Sequence, residues 1–232
     1  VRNRGWLTWI TLGLVVAFVP MAVDSKPAPI NFTSQVTKLI ERVDPNFRVT
    51  TQQTQKQESS SSDTPIESIV QGRKLSRTYY YHFDANVSAS AKAVFENAVN
   101  VYNQTGIVKL VPGNATTRQN EITFFVYSKQ MSSGNSNGTT TMIESGHGGP
   151  QITQQTGWNA YTANHAQAGL NVYYPSAAIR KSVAIHELGH ALGLDHSRDR
   201  HSVMYPVDQG NTSLSTGDIG ALKSIYDTGD NQ

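Results

Sequence analysis

The chain has 232 residues, 19 Lys and Arg against 17 Asp and Glu, 16% charged side chains and no cysteine. That length suits one domain of ordinary size with appendages, and a net charge of +2 without a concentrated basic patch argues against a nucleic-acid binder. Without cysteine there are no disulfides, no thiolate metal site and no cysteine nucleophile.

At the N-terminal end Arg2 and Arg4 precede an uncharged span, residues 5–23, whose apolar heart is residues 6–19 with Pro20 just beyond. A short basic region before an apolar run is the pattern of a signal peptide. The uncharged span is also, at about 20 residues, long enough to cross a bilayer. Residues 1–23 are therefore expected to be a signal peptide or an N-terminal membrane anchor. The basic residues on the leading side place the rest of the chain outside the cell, secreted or anchored. Residues 24–74 are expected to be a polar spacer or a propeptide. Within them, residues 50–63 read TTQQTQKQESSSSD and have too few apolar side chains to offset the entropy of ordering.

The folded domain is expected over residues 75–228. Residues 78–83 (TYYYHF) are aromatic and β-branched, hence a strand. Ala91, Val94, Phe95, Ala98, Val99 and Tyr102 recur at helical spacing, which predicts a helix over residues 88–102 with Ser88 as N-cap and Gly106 beyond its end. Residues 106–111 and 121–127 read as strands, residues 128–141 as a loop, and residues 156–161 with 169–174 as a hairpin-like pair. A second long helix is predicted over residues 179–192. Ala184, Ile185, Leu188 and Leu192 cover one side of it, which makes it a buried central helix with its other face open to a cleft.

That helix carries His186-Glu187-Leu188-Gly189-His190, followed by Gly193 and His196. Residues four apart on a helix share a face, so His186 and His190 present two imidazoles close enough to bind one Zn²⁺ at about 2.0–2.1 Å. Glu187, beside the first ligand, reaches a metal-held water without binding the metal itself. Gly193 tolerates positive φ, so it can end the helix and turn the chain back to bring His196 round as the third ligand. Three nitrogens leave a coordination position open, the mark of a catalytic zinc and not a structural one. A buried helix that merely happened to carry three histidines and a glutamate would cost several kcal/mol in unpartnered polar groups, roughly 2–7 each.

The whole run fits H-E-x-x-H-x-x-G-x-x-H, the pattern of metzincin zinc proteases. Met204, in Ser202-Val203-Met204-Tyr205-Pro206, stands where these enzymes carry a tight methionine turn under the metal. Ser197 after the third histidine, the Met-Tyr-Pro turn and the Leu214-Ser215-x-x-Asp218-Ile219 start of a last helix resemble the matrixin branch; the absence of cysteine suits a bacterial-type secreted member. The resemblance is strong over residues 176–227. It implies an α+β metzincin catalytic domain: a twisted mixed sheet, two long helices above the cleft and a small C-terminal subdomain with one helix. It also implies one catalytic Zn²⁺ on His186, His190 and His196, with Glu187 as the catalytic base.

In matrixins the wall of the main specificity pocket includes P-x-Y after the methionine turn; here it reads Pro206-Val207-Asp208. His147 and His165 resemble the histidines of a structural zinc site. Glu144, however, is the one acidic residue between Ile122 and His186, and Ca²⁺ wants six to eight oxygens, several of them charged. Both histidines are expected to be loop residues, His201 an exposed loop residue and His82 a surface residue. The function implied is a zinc endopeptidase, monomeric, taking an extended peptide or protein as substrate along a sheet edge for which residues 156–161 are the candidates. Two alternatives are a zinc hydrolase of non-peptide cell-envelope bonds and a non-catalytic module derived from a protease.

Overall fold

The computed structural model describes residues 14–18, 63–131 and 142–227. Most of the spacer expected over residues 24–74 lies outside these, as do residues 132–141 of the expected loop. A mixed sheet has the strand order β1-β5-β7-β4-β2-β3, with β6 paired to β7 off that path. The strands are β1 (Leu14–Phe18), β2 (Thr78–Phe83), β3 (Lys109–Pro112), β4 (Asn120–Tyr127), β5 (Met142–Gly149), β6 (Ile152–Gln155) and β7 (Tyr161–Asn171). Pairings β2–β3, β2–β4 and β4–β7 are parallel, while β5 runs antiparallel to β7 and to β1. A mixed sheet accompanied by helices is the expected α+β class.

Helix α1 (Ala89–Gln104) starts where its cap chemistry says it should. The Ser88 hydroxyl accepts from the Ala91 amide, and Gly106 follows at φ 67°. Its buried face is Ala91, Phe95, Ala98, Val99 and Tyr102, five of the six residues read from the spacing. Phe95 stacks on Phe124 of β4 at 4.4 Å between ring centroids, and Phe83 and Tyr81 close the cluster from β2. A short helix, α2 (Pro175–Ala178), leads into α3 (Lys181–Ala191), and the domain ends in α4 (Thr216–Tyr226). In α3, every residue from Ser182 to Ala191 is buried. It packs against α1, β5 and β7, so the core lies between the two helices and one face of the sheet.

Three expectations change. Of the expected strand 156–161 only Tyr161, the first residue of β7, is in a strand; residues 156–160 form the turn between β6 and β7, because Gly157 and Asn159 both adopt positive φ, 86° and 61°. Residues 169–174 only overlap the end of β7, which is far longer. Strand β5 escaped the sequence reading since ESGHGG is poor in strand-favouring side chains. It places His147 on β5 and His165 on β7, in strands and not in loops. Within the apolar N-terminal span, residues 14–18 are a strand on the outer edge of β5. No helix among the described residues is long and apolar enough to cross a membrane.

The packed chain begins upstream of Leu75. Ile66 bridges Leu194, the Glu67 amide donates to Gly193 O at 2.8 Å, and the Asp195 amide donates to Pro65 O at 2.9 Å. Val70 is buried against Gly193.

Candidate active site

The C-terminal end of α3 is a buried place for the free carbonyls that every helix leaves behind. Two are satisfied by side chains: Asn164 of β7 donates to Ala191 O at 2.9 Å, and the Tyr226 hydroxyl of α4 donates to Leu192 O at 2.9 Å. Tyr79 joins them, 2.8 Å from the Tyr226 hydroxyl and 3.0 Å from Asn164. This network ties the sheet and the last helix to the point where the chain must turn. Gly193 makes the turn at φ 99°, as its place in the motif requires, and a Cβ there would press on Val70 at 2.9 Å.

His186 and His190 of α3 and His196 beyond the turn come together, with one ligand atom from each within 4.8 Å of the others. His186 Nδ1–H donates to Val203 O at 2.7 Å, and His190 Nδ1–H donates to Leu194 O at 2.9 Å. These bonds hold the tautomers and leave both Nε2 atoms as lone pairs. His190 Nε2 then lies 3.0 Å from His186 Nε2 and 3.2 Å from His196 Nε2. Lone pairs facing each other do not bond; they converge on a cation. Ligands about 2.0–2.1 Å from a tetrahedral zinc stand about 3.3 Å apart, so the cluster fits that ion.

The electrostatics agree with neutral rings. Burial pushes His186 well below the usual imidazole range, with His190 and His196 adding to the effect. Burial and then His196 push His190 down to about 3. His196 is lowered by burial too, against the opposing pull of Asp195 and Glu67. A neutral imidazole is the form that binds a metal.

Glu187 faces the strand that the sequence reading missed. A Cβ on Gly146 would overlap the Glu187 carboxylate, and one on Gly148 would come within 2.5 Å of the Glu187 carbonyl. Both Glu187 oxygens are buried and accept no hydrogen bond from the protein. Burial, and then the nearby Glu144, raise its pKa well above the ordinary carboxylate value. A buried carboxylate left unpartnered is costly, and a base waiting for a water is a reason to keep one. Gly146→Ala is expected to push this carboxylate aside, lowering kcat/KM about 10²-fold, since a displacement near 1 Å costs that much, while zinc content stays at wild type. Activity within threefold of wild type would refute the close approach.

Met204 lies fully buried beneath α3. A Cβ on Gly189, between the two helical histidines, would overlap its sulfur and meet the Tyr102 hydroxyl at 2.7 Å. The turn around Met204 is pinned by Asp218 of α4. This fully buried carboxylate accepts from Thr64 Oγ1 at 2.6 Å, Ser202 Oγ at 2.5 Å, the Val203 amide at 3.3 Å and the Ser215 amide at 2.8 Å. The Ser215 hydroxyl in turn accepts from the Asp218 amide, closing a capping box that starts α4. Beside His186 opens a pocket with Ser182, Ser202, Asp208, Gln209 and Asn211 among its lining residues. Asp208, the residue in place of the family tyrosine, is bound there by Arg180 at 2.6 Å.

His147 and His165 do not join the three-histidine cluster. In the β5–β7 register His147 pairs with Gly169, whereas His165 pairs across β4 with Glu121. His201 is 93% exposed and turns to Asp199 at 3.1 Å, and His82, partly exposed, lies 3.3 Å from Glu121. The partners that sequence reasoning missed are Gly146, Gly148, Asn164 and Glu67, all distant in sequence from the motif. Only Asp218 had a local signal, its Ser215-x-x-Asp spacing.

A mixed sheet, a buried helix carrying two histidines with a third just beyond its turn, a glutamate beside the first histidine and a methionine turn beneath define a metzincin-type zinc protein. The chain matches the matrixin family over residues 25–227, and so belongs to it. It is 50% identical over 48 residues to macrophage metalloelastase of Oryctolagus cuniculus, covering 19% of this chain and 10% of that protein. It is 53% identical over 49 residues to matrilysin of Felis catus, 19% of each, and 44% over 57 residues to matrix metalloproteinase-C of Caenorhabditis elegans, 21% of this chain and 10% of that one. These matches span less than a fifth of the length of those relatives. Among solved structures it is similar to High choriolytic enzyme 1, a hatching enzyme zinc-protease from Oryzias latipes, at 16% identity and a TM-score of 0.37, covering 74% of this chain and 98% of that one.

Proposed function

We propose that the protein is a zinc endopeptidase that acts outside the cell, secreted or membrane-anchored, and cleaves extended segments of protein substrates. His186, His190 and His196 hold the ion, and Glu187 is the catalytic base. The observation that carries this reading is the convergence of three imidazole nitrogens, 3.0 and 3.2 Å apart, beside a buried carboxylate without a partner. When bound, zinc acts as a Lewis acid on the scissile carbonyl and acidifies a water toward a pKa of about 7. Glu187, with both carboxylate oxygens free of protein donors, would accept a proton from the attacking water and return it to the leaving amine. The carbonyls of Val203 and Leu194 hold the two helical imidazoles in the tautomer this requires.

An extended substrate adds as a strand along β5, whose Gly146 and Gly148 lie against Glu187. In support, the outer edge of β5 accepts an antiparallel strand, β1. Loss of residues 1–23 on export would leave that edge open to substrate. The basic start and apolar span of residues 1–23 support export, and we take residues 75–228 as the body of a monomeric catalytic domain, extended upstream by the packed residues 64–70.

A peptide-library digest tests the reading. Cleavage at internal peptide bonds is expected, abolished by a chelator and restored by zinc, with metal analysis giving about one zinc per chain. Failure to cut any peptide at one zinc per chain would overturn the peptidase reading and leave a zinc hydrolase of another bond or a binding module.

A further inference from the structure

Upstream of β2, residues 64–70 lie across the turn that carries the third histidine. The backbone on both sides of Glu67 is pinned to that turn: Ile66 bridges Leu194, Pro65 O accepts from the Asp195 amide, and the Glu67 amide donates to Gly193 O. Thr64 is held at one end by Asp218, and Val70 is buried against Gly193 at the other. These contacts fix the backbone of Glu67 beside the turn, within side-chain reach of the histidines. Glu67 Oε1 lies 3.4 Å from His190 Nδ1, with the side chain 20% exposed.

His190 therefore has two acceptors near its outer N–H, the Leu194 carbonyl at 2.9 Å and this carboxylate. Asp195 brings a second carboxylate to the same end of the cluster, where its Oδ1 accepts from the His196 amide at 2.7 Å. Asp195 acts on Glu67 as a neighbouring like charge, and a dication held by the imidazoles would offset that repulsion. Carboxylates behind ligating histidines orient the ring and raise its basicity toward the metal.

From this arrangement we infer that Glu67 is a positioning residue for zinc: it stands behind His190, orients the ring and tightens metal binding without touching substrate. The inference rests on the three-histidine zinc site proposed above. Residues 64–70, between β1 and β2 in the chain, are on this account a working part of the metal centre.

The test measures zinc affinity of the full chain by competition with a chromophoric chelator, in wild type, Glu67→Gln, Glu67→Ala and His190→Ala. Thermal unfolding of the zinc-free proteins is followed in parallel. Both Glu67 variants are expected to bind zinc about 10–100-fold more weakly. Glu67→Gln, which keeps size and an acceptor oxygen, is expected to leave the zinc-free Tm unchanged and so separates positioning from folding should Glu67→Ala fail to fold. Wild-type zinc affinity in Glu67→Gln, with His190→Ala losing the metal, would overturn the role of Glu67 and leave the zinc site standing. Weaker binding matched by an equally lowered zinc-free Tm would make Glu67 a structural residue and also overturn the inference. Retention of zinc by His190→Ala would instead sink the three-histidine site on which it rests.

Discussion

Glu187→Ala is expected to keep zinc and fold while losing at least about 10²–10⁴-fold in kcat/KM, the range general acid–base catalysis supplies. The three imidazoles, their carbonyl partners at Val203 and Leu194 and the Gly193 turn are all untouched by the substitution. Stability should rise slightly if anything, because the change removes a buried carboxylate with two unpartnered oxygens. Its sign in the zinc-free protein is informative. Burial raises the Glu187 pKa, so the unfolded chain ionises it more readily as pH increases, and wild type loses stability above the ordinary carboxylate range. That loss should be absent in the alanine variant. Zinc content, kcat/KM and the pH dependence of zinc-free unfolding together check the assignment. Release of zinc would make the carboxylate a ligand, and unchanged activity would remove it from the proton transfer.

Asp218→Ala is expected to cost about 3–5 kcal/mol of stability, near the top of what single substitutions do. Four donors from three separate places in the sequence, Thr64, Ser202 with Val203, and Ser215, end on this one carboxylate. Hydrogen bonds to a charged acceptor contribute about 1.5–3 kcal/mol each, and stranded donors add a desolvation cost. The turn that places Val203 O against His186 hangs from the same carboxylate, so zinc affinity should fall as well. Denaturant unfolding with and without zinc measures both effects. A loss below about 1 kcal/mol would mean that water or a shifted turn replaces all four bonds.

The parts of the molecule that the sequence by itself determined are those whose cause is short-range. Helix α1 was legible because its apolar spacing and Ser88 cap lie within one element, and α4 because Ser215 and Asp218 close a box three residues long. The convergence of the three histidines was legible for the same reason. Four-residue spacing on a helix and one glycine turn place His186, His190 and His196 almost regardless of the rest.

What only the tertiary structure decided is long-range. Strand β5 has three glycines and little strand propensity, and it is a strand because β7 pairs with it and because Glu187 leaves no room for a Cβ at Gly146. The turn at residues 156–160 hid behind aromatic residues until the positive φ of Gly157 and Asn159 settled it. Residues 63–74 adjoin a polar stretch and read as more of the same spacer, yet Ile66 finds its partner at Leu194 and Glu67 at His190. No window of the sequence contains both halves of such a contact, since the free energy that orders the segment comes from surface supplied by the other end of the chain.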